Sequence, residues 1–208
     1  MFLDEKRYGQ TLVAERIYAL ETCAIPTPLD GLLIVEIKFH KDHRGFFIEN
    51  YHRRQFADIG IQDEFLQDNH SQSRKGVLRG IHYQDMRAPM SKLVRCTRGR
   101  ILDVAVDLRV GSPTFAGWFA VELSDENMRQ LYVPVGFGHG FLTLSDIAEV
   151  QYKCSNMYSP ATEGAIRWDD PDIGVEWPTR EPILSSRDSQ ALSLRQYLEQ
   201  PAFVYKKS

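Results

Sequence analysis

Residues 91–109 read SKLVRCTRGRILDVAVDLR, two runs rich in β-branched and apolar side chains that meet at Gly99. A helix would not gather Val, Ile and Leu at this density without helix formers between them, so both runs read as strands. The glycine between them reads as the hinge of a hairpin. The same texture extends in both directions. GLLIVEIKF (31–39) is a strand ended by the charged turn HKDHRG, and FFIENY (46–51) resumes as another. TFAGWFAVEL, RQLYVPVGF, HGFLTLS and AEVQYKC follow, each bounded by Gly, Pro, Ser or Asp. Helical periodicity is confined to HRRQFADIG (52–60), DSQALSLRQYLEQ (188–200) and, near the N-terminus, TLVAERIYALE (11–21). Many short strands at regular spacing predict an all-β sandwich or barrel of the jelly-roll kind with a few short peripheral helices. Residues 1–24 are polar, carry no motif and read as an appended segment; residues 25–208 read as one β domain.

Bulk properties narrow the function. With 208 residues and a net charge of −3, the chain has no overall field to attract nucleic acid or an anionic membrane, and neither is expected as a partner. An anionic ligand would have to be held by a local group of basic residues. The three cysteines, Cys23, Cys96 and Cys154, are odd in number and lack C-x-x-C spacing, which argues against a disulfide framework or a zinc site. No apolar run approaches the roughly 20 residues of a membrane span, and MFLDEKRYGQ has no signal-peptide core. A cytoplasmic protein is expected.

The stretch GVLRGIHYQ (76–84) is where chemistry enters. An apolar strand that only fills a core has no need of Arg79, His82 and Gln84. In a regular strand Arg79 and His82 would face opposite sides, so a shared role requires a bulge at Gly80. His82 and Gln84 do share a face, where a metal-binding barrel would place two histidines; glutamine is a poor ligand for transition metals, and no metal is expected. His82 is instead a candidate general base, because imidazole titrates near neutrality. Asp103, Asp107 and Asp188 could each orient it, and spacing does not choose among them. His139, in GFGHGF, falls on a neighbouring inner strand. In AEVQYKC, Val150, Tyr152 and Cys154 share one face, which puts the Tyr152 phenol inside as a candidate proton donor. Lys92 opens the strand KLVRC at a cavity rim, where an ammonium can stabilise an oxyanion. Arg44 and Arg79 both precede glycine, and paired guanidinium groups suit a diphosphate.

Taken in order, RGFFIENY, FLQDNHSQS, GVLRGIHYQ, KLVRCTRGRILDVAVDLR, GSPTF, PVGFGHGF, YSPATEG and WDDPDIGVEWP resemble the dTDP-4-dehydrorhamnose 3,5-epimerase family from about Ile25 to Asp188. The resemblance implies a metal-free cupin jelly roll that works as a homodimer without a cofactor. The implied reaction inverts C3 and C5 of dTDP-4-keto-6-deoxy-glucose, giving the precursor of dTDP-L-rhamnose. It implies His82 as base with Asp188 beside it, Tyr152 as acid, and Lys92 next to the C4 carbonyl oxygen. Nucleotide-sugar contacts would come from Arg44, Glu49, Gln67, Asp68, Asn69, Arg79, His139, Glu163 and Arg187, and Tyr158 would stack on the nucleobase. The apolar strand GLLIVEIKF, exposed if it were an edge, adds to the expectation of a dimer. Met90 and Ser91, together with the surroundings in HKDHRG and GFGHGF, depart from the usual pattern. A single-carbon epimerase on a related nucleotide 4-ketosugar is therefore the alternative. A metal-dependent cupin enzyme and a non-catalytic sugar-nucleotide-binding cupin are more distant ones.

Overall fold

The computed structural model describes residues 15–205. Its strands are β1 (Ile17–Ala19), β2 (Thr22–Pro26), β3 (Leu33–Ile37), β4 (His40–Asp42), β5 (Gly45–Phe47), β6 (Gln67–Arg74), β7 (Leu78–Gln84) and β8 (Lys92–Arg98). They continue with β9 (Arg100–Asp107), β10 (Arg109–Val110), β11 (Trp118–Ser124), β12 (Gln130–Val133), β13 (Phe137–Thr143), β14 (Ile147–Cys154), β15 (Glu163–Ala165) and β16 (Phe203–Val204). Helices α1 (Arg53–Asp58) and α2 (Leu194–Glu199) are short.

Two sheets face each other. One has seven strands in the order β1-β2-β3-β12-β8-β14-β6, the other five in the order β11-β9-β13-β7-β15. Their inner faces close on Ile25, Ile34, Val94, Ile101, Phe119, Phe137, Phe141 and Val150, all buried. This is the expected jelly roll, and non-sequential neighbours such as β3 beside β12 carry its crossovers. Each outer face has its own cover. Phe56 of α1, with Ile59 and Ile61, packs on Leu93 and Tyr132 behind the large sheet. Tyr197 of α2 and Phe203 pack on Leu102, Val104 and Tyr83 behind the small one.

The hairpin expected at Gly99 is not one. β8 pairs with β12 and β14, whereas β9 pairs with β11 and β13, so the chain passes from one sheet to the other at Gly99. The reason lies in β9, where Ile101 and Ala105 are apolar on one face and Leu102, Val104 and Val106 on the other. A strand apolar on both faces needs the middle of a covered sheet. Gly99 makes the tight passage possible: its φ is +74°, and a Cβ there would sit 2.2 Å from the carbonyl oxygen of Ile147.

Three further expectations change. Of TLVAERIYALE, residues 11–14 lie outside the described residues, and the rest is not helical: β1 pairs with β2 through a turn at Leu20, which is 92% exposed. No apolar stripe is buried there to hold a helix. GLLIVEIKF is not an edge, since β3 lies between β2 and β12; the edges of the large sheet are β1 and β6. FFIENY forms a strand only as far as Phe47, where β5 pairs with β4 in a hairpin separate from both sheets.

Candidate active site

A cavity of about 550 Å³ opens between the sheets at the end where β7, β8, β13 and β14 converge. β7 supplies two of its residues through an irregularity. His82 stands opposite His139 and Arg79 opposite Phe141, so three steps along β7 match two along β13. The extra residue is a bulge at Gly80, whose φ of +133° suits glycine. The bulge turns both Arg79 and His82 to the cavity, as the sequence required.

His82 Nε2 lies 2.5 Å from Asp188 Oδ1. Asp188 is buried at the start of a 3-10 turn, its backbone N–H donating to Ser185 Oγ. Of the three carboxylates left open by spacing, Asp188 is thus the partner of His82. Asp107 is held by Arg109, Ser112 and Thr114 and does not line the cavity. Asp103 belongs to His139, whose Nε2 lies 2.8 Å from its Oδ1. Burial pushes the His82 imidazole below its ordinary pKa, with Asp188 opposing. Burial is the largest single influence on Asp188 and works against its ionised form, but His82, Ser185 and Arg187 together outweigh it and hold the carboxyl below its usual range. The pair is a neutral imidazole donating to a carboxylate.

Across the cavity, β14 carries Tyr152 and β8 carries Lys92. Burial raises the Tyr152 phenol, so it keeps its proton at neutral pH. Burial lowers the Lys92 ammonium, opposed by nearby Cys154, Asp103 and Glu163. Lys92 Nζ stands 6.0 Å from the centre of the Tyr152 ring. Arg79 is braced by Ser73 Oγ (3.0 Å from Nε) and the carbonyl of Gln72 (3.3 Å from Nη2).

At the mouth, Glu163 accepts from Tyr158 Oη at 2.7 Å and from Arg187 Nη1 at 2.5 Å. The backbone N–H of Tyr158 donates to Gln67 Oε1, and Gln67 Nε2 donates to Asn69 Oδ1. Asp68 and Asn69 line an adjoining recess of about 490 Å³ that shares Tyr152 with the main cavity. Arg44 and Glu49 reach neither. Arg44 sits on the β4–β5 hairpin paired with Asp42, its side chain 79% exposed, and Glu49 accepts from Gln55.

Gln84 does not line the cavity: its side chain bonds Thr162 Oγ1 and both backbone groups of Ser159, bracing the loop that carries Tyr158. Among the described residues, no three His, Cys, Asp or Glu side chains gather as metal ligands would. Sequence reasoning missed Ser71, Phe141 and Ser185, which also line the cavity. For Ser71 a signal existed: in QDNHSQSR the residues Gln67, Asn69, Ser71 and Ser73 alternate on the less exposed face.

The fold and the site together define a class, a cupin-type jelly roll whose cavity holds a carboxylate-paired imidazole on one sheet and a phenol and a lysine amine on the other. Comparison with known proteins gives the family. The profile described as dTDP-4-dehydrorhamnose 3,5-epimerase matches residues 26–196. The dTDP-4-dehydrorhamnose 3,5-epimerase of Salmonella typhimurium is 51% identical over 84% of this chain and 96% of its own. The crystal structure of the dTDP-6-deoxy-D-glucose-3,5-epimerase of Legionella pneumophila, in complex with dTDP-4-keto-L-rhamnose, superposes with a TM-score of 0.86 at 42% identity. It covers 89% of this chain and all of its own. A 4-keto-6-deoxy sugar epimerase from Streptomyces spheroides gives 0.85 at 38%, covering 90% of this chain and 94% of its own. The chain belongs to the dTDP-4-dehydrorhamnose 3,5-epimerase family.

Proposed function

We propose that this protein is an isomerase that inverts C3 and C5 of dTDP-4-keto-6-deoxy-D-glucose, giving dTDP-4-keto-L-rhamnose without a cofactor. The observation that carries the reading is the placement of the His82–Asp188 pair and Tyr152 on opposite sheets across one cavity. A sugar ring between the sheets has a base on one face and an acid on the other, which is what inversion needs.

With Nε2–H donated to Asp188, the lone pair of His82 is on Nδ1, and Nδ1 takes the proton from the carbon next to the C4 ketone. The C–H electron pair moves into the ring and on to O4, where the Lys92 ammonium stabilises the enolate in a site poor in water. Collapse of the enolate takes a proton from Tyr152 Oη on the opposite face, leaving phenolate and imidazolium. Proton exchange restores both before the second carbon is inverted. Asp188 keeps the imidazole oriented and stabilises its charged form.

Arg79 and Arg187 suit the diphosphate, Tyr158 the nucleobase, and His139, Glu163, Gln67, Asp68 and Asn69 the remaining polar groups of the nucleotide sugar. Arg44 and Glu49 complete the site from a second copy, in a homodimer. Support comes from the β4–β5 hairpin, which stands clear of both sheets and exposes Phe46 and Phe47. The site belongs to one domain that begins before Ile25, because β1 and β2 join its large sheet, and none of residues 15–24 lines the cavity. A cytoplasmic location fits three buried, unpaired thiols, and no helix among the described residues is long and apolar enough to cross a membrane.

The deciding experiment incubates the protein with dTDP-4-keto-6-deoxy-glucose in deuterated water and follows C3 and C5 by NMR. Deuterium should enter at both carbons as the rhamnose configuration appears. Entry at one alone identifies a single-carbon epimerase, and entry at neither rejects the reading.

A further inference from the structure

Four buried side-chain oxygens among the described residues have no hydrogen-bond partner: Ser71 Oγ, Ser91 Oγ, Asp103 Oδ2 and Thr143 Oγ1. Of the four residues, only Ser71 lines the cavity. A buried hydroxyl without a partner is costly, and where it lines a ligand cavity it marks a place for a ligand atom.

Its place in the fold says which atom. Asn69, Ser71 and Ser73 share the less exposed face of β6; Ser71 lines the cavity and Asn69 the adjoining recess. At one end of this row Ser73 Oγ accepts from Arg79 Nε, the cation suited to the diphosphate. At the other end Asn69 stands opposite Tyr152, the proton donor, in the β6–β14 ladder. Ser71 lies between the diphosphate end and the reacting end. In a hexose that carries diphosphate on C1 and reacts at C3, the group between them is the hydroxyl on C2. A serine hydroxyl can both donate and accept, so it fits a sugar hydroxyl in either sense.

We propose that Ser71 binds the C2 hydroxyl of the sugar and makes this enzyme select 2-hydroxy over 2-deoxy 4-ketosugars. The inference rests on the epimerase reading above and adds the residue that sets its preference at C2. Because Ser71 Oγ has no protein partner, Ser71→Ala removes the contact without breaking a bond of the folded chain.

The test measures kcat/KM for dTDP-4-keto-6-deoxy-glucose and its 2-deoxy counterpart, read as deuterium entry, with the native chain, Ser71→Ala and Ser73→Ala. The native chain should prefer the 2-hydroxy sugar by roughly tenfold, the scale of one hydrogen bond made only with substrate. Ser71→Ala should lose roughly that factor on the 2-hydroxy sugar and change by less than about twofold on the 2-deoxy one, so that the preference collapses. Ser73→Ala, which loosens Arg79, should raise KM for both sugars alike and keep the preference. Undiminished preference in Ser71→Ala, or no preference in the native chain, overturns the inference while leaving the epimerase reading intact. Failure of the native chain to act on either sugar overturns both.

Discussion

A Cβ on Gly80 would lie 2.4 Å from the Cα of Gly140. The two strands meet there backbone to backbone, and the contact holds the bulge that turns Arg79 and His82 to the same cavity. Gly80→Ala must push β13 away and place a side chain at a φ of +133°. A loss of about 2–4 kcal/mol in stability is expected, with activity falling further than the folded fraction. Thermal unfolding and assay of the purified variant check both. Native stability together with native turnover would show that the bulge is dispensable.

Loss of the base should silence both carbons. His82→Ala is expected to lower deuterium entry at C3 and C5 by at least about 10²–10⁴-fold, the share of a positioned general base. Tyr152→Phe removes the donor on the opposite face, so exchange should survive better than net inversion. The reverse pattern, with exchange surviving in His82→Ala and lost in Tyr152→Phe, would make the tyrosine the base.

The acid limb of kcat/KM should lie below the ordinary histidine range, because burial lowers the His82 pKa in the free protein and the base works only when neutral. Asp188 raises the pKa of His82, so Asp188→Asn should move the limb to still lower pH while reducing the plateau. A pH–rate profile of the two proteins checks the sign. A limb shifted upward in Asp188→Asn would contradict the pairing.

Prolonged chelation should leave activity unchanged, since Gln84 is committed to Thr162 and Ser159 and His139 to Asp103. Loss on chelation with recovery on adding one divalent ion would point to the metal-dependent alternative.

If Arg44 acts in the neighbouring subunit, two damaged chains can repair each other. His82→Ala and Arg44→Ala, each impaired alone, should regain activity when co-expressed, because one site of the mixed dimer then has both residues intact. Light scattering should show a dimer at micromolar concentration. A fully active monomer would refute the shared site.

Most strands of the two sheets were legible one by one, but β1 and β2 lie in a stretch that read as an appended, partly helical segment. Local composition and two-residue alternation settle which segments are extended, and they placed Tyr152 on the interior face. Helices α1 and α2 could be located from periodicity, and a chain with Arg79, His82 and Gln84 in one apolar strand already pointed to a polar cavity. Strand partners were not legible. An apolar strand such as β9 is satisfied by any neighbours that cover both faces, so nothing local told the crossing at Gly99 from a hairpin, or the interior position of β3 from an edge. The same holds for the site. Spacing left Asp103, Asp107 and Asp188 equal as partners for His82, because their separation along the chain does not determine their separation in space. Only the packed sheets, with Asp188 carried in from the C-terminal segment and Asp103 occupied by His139, decide which carboxylate meets which imidazole.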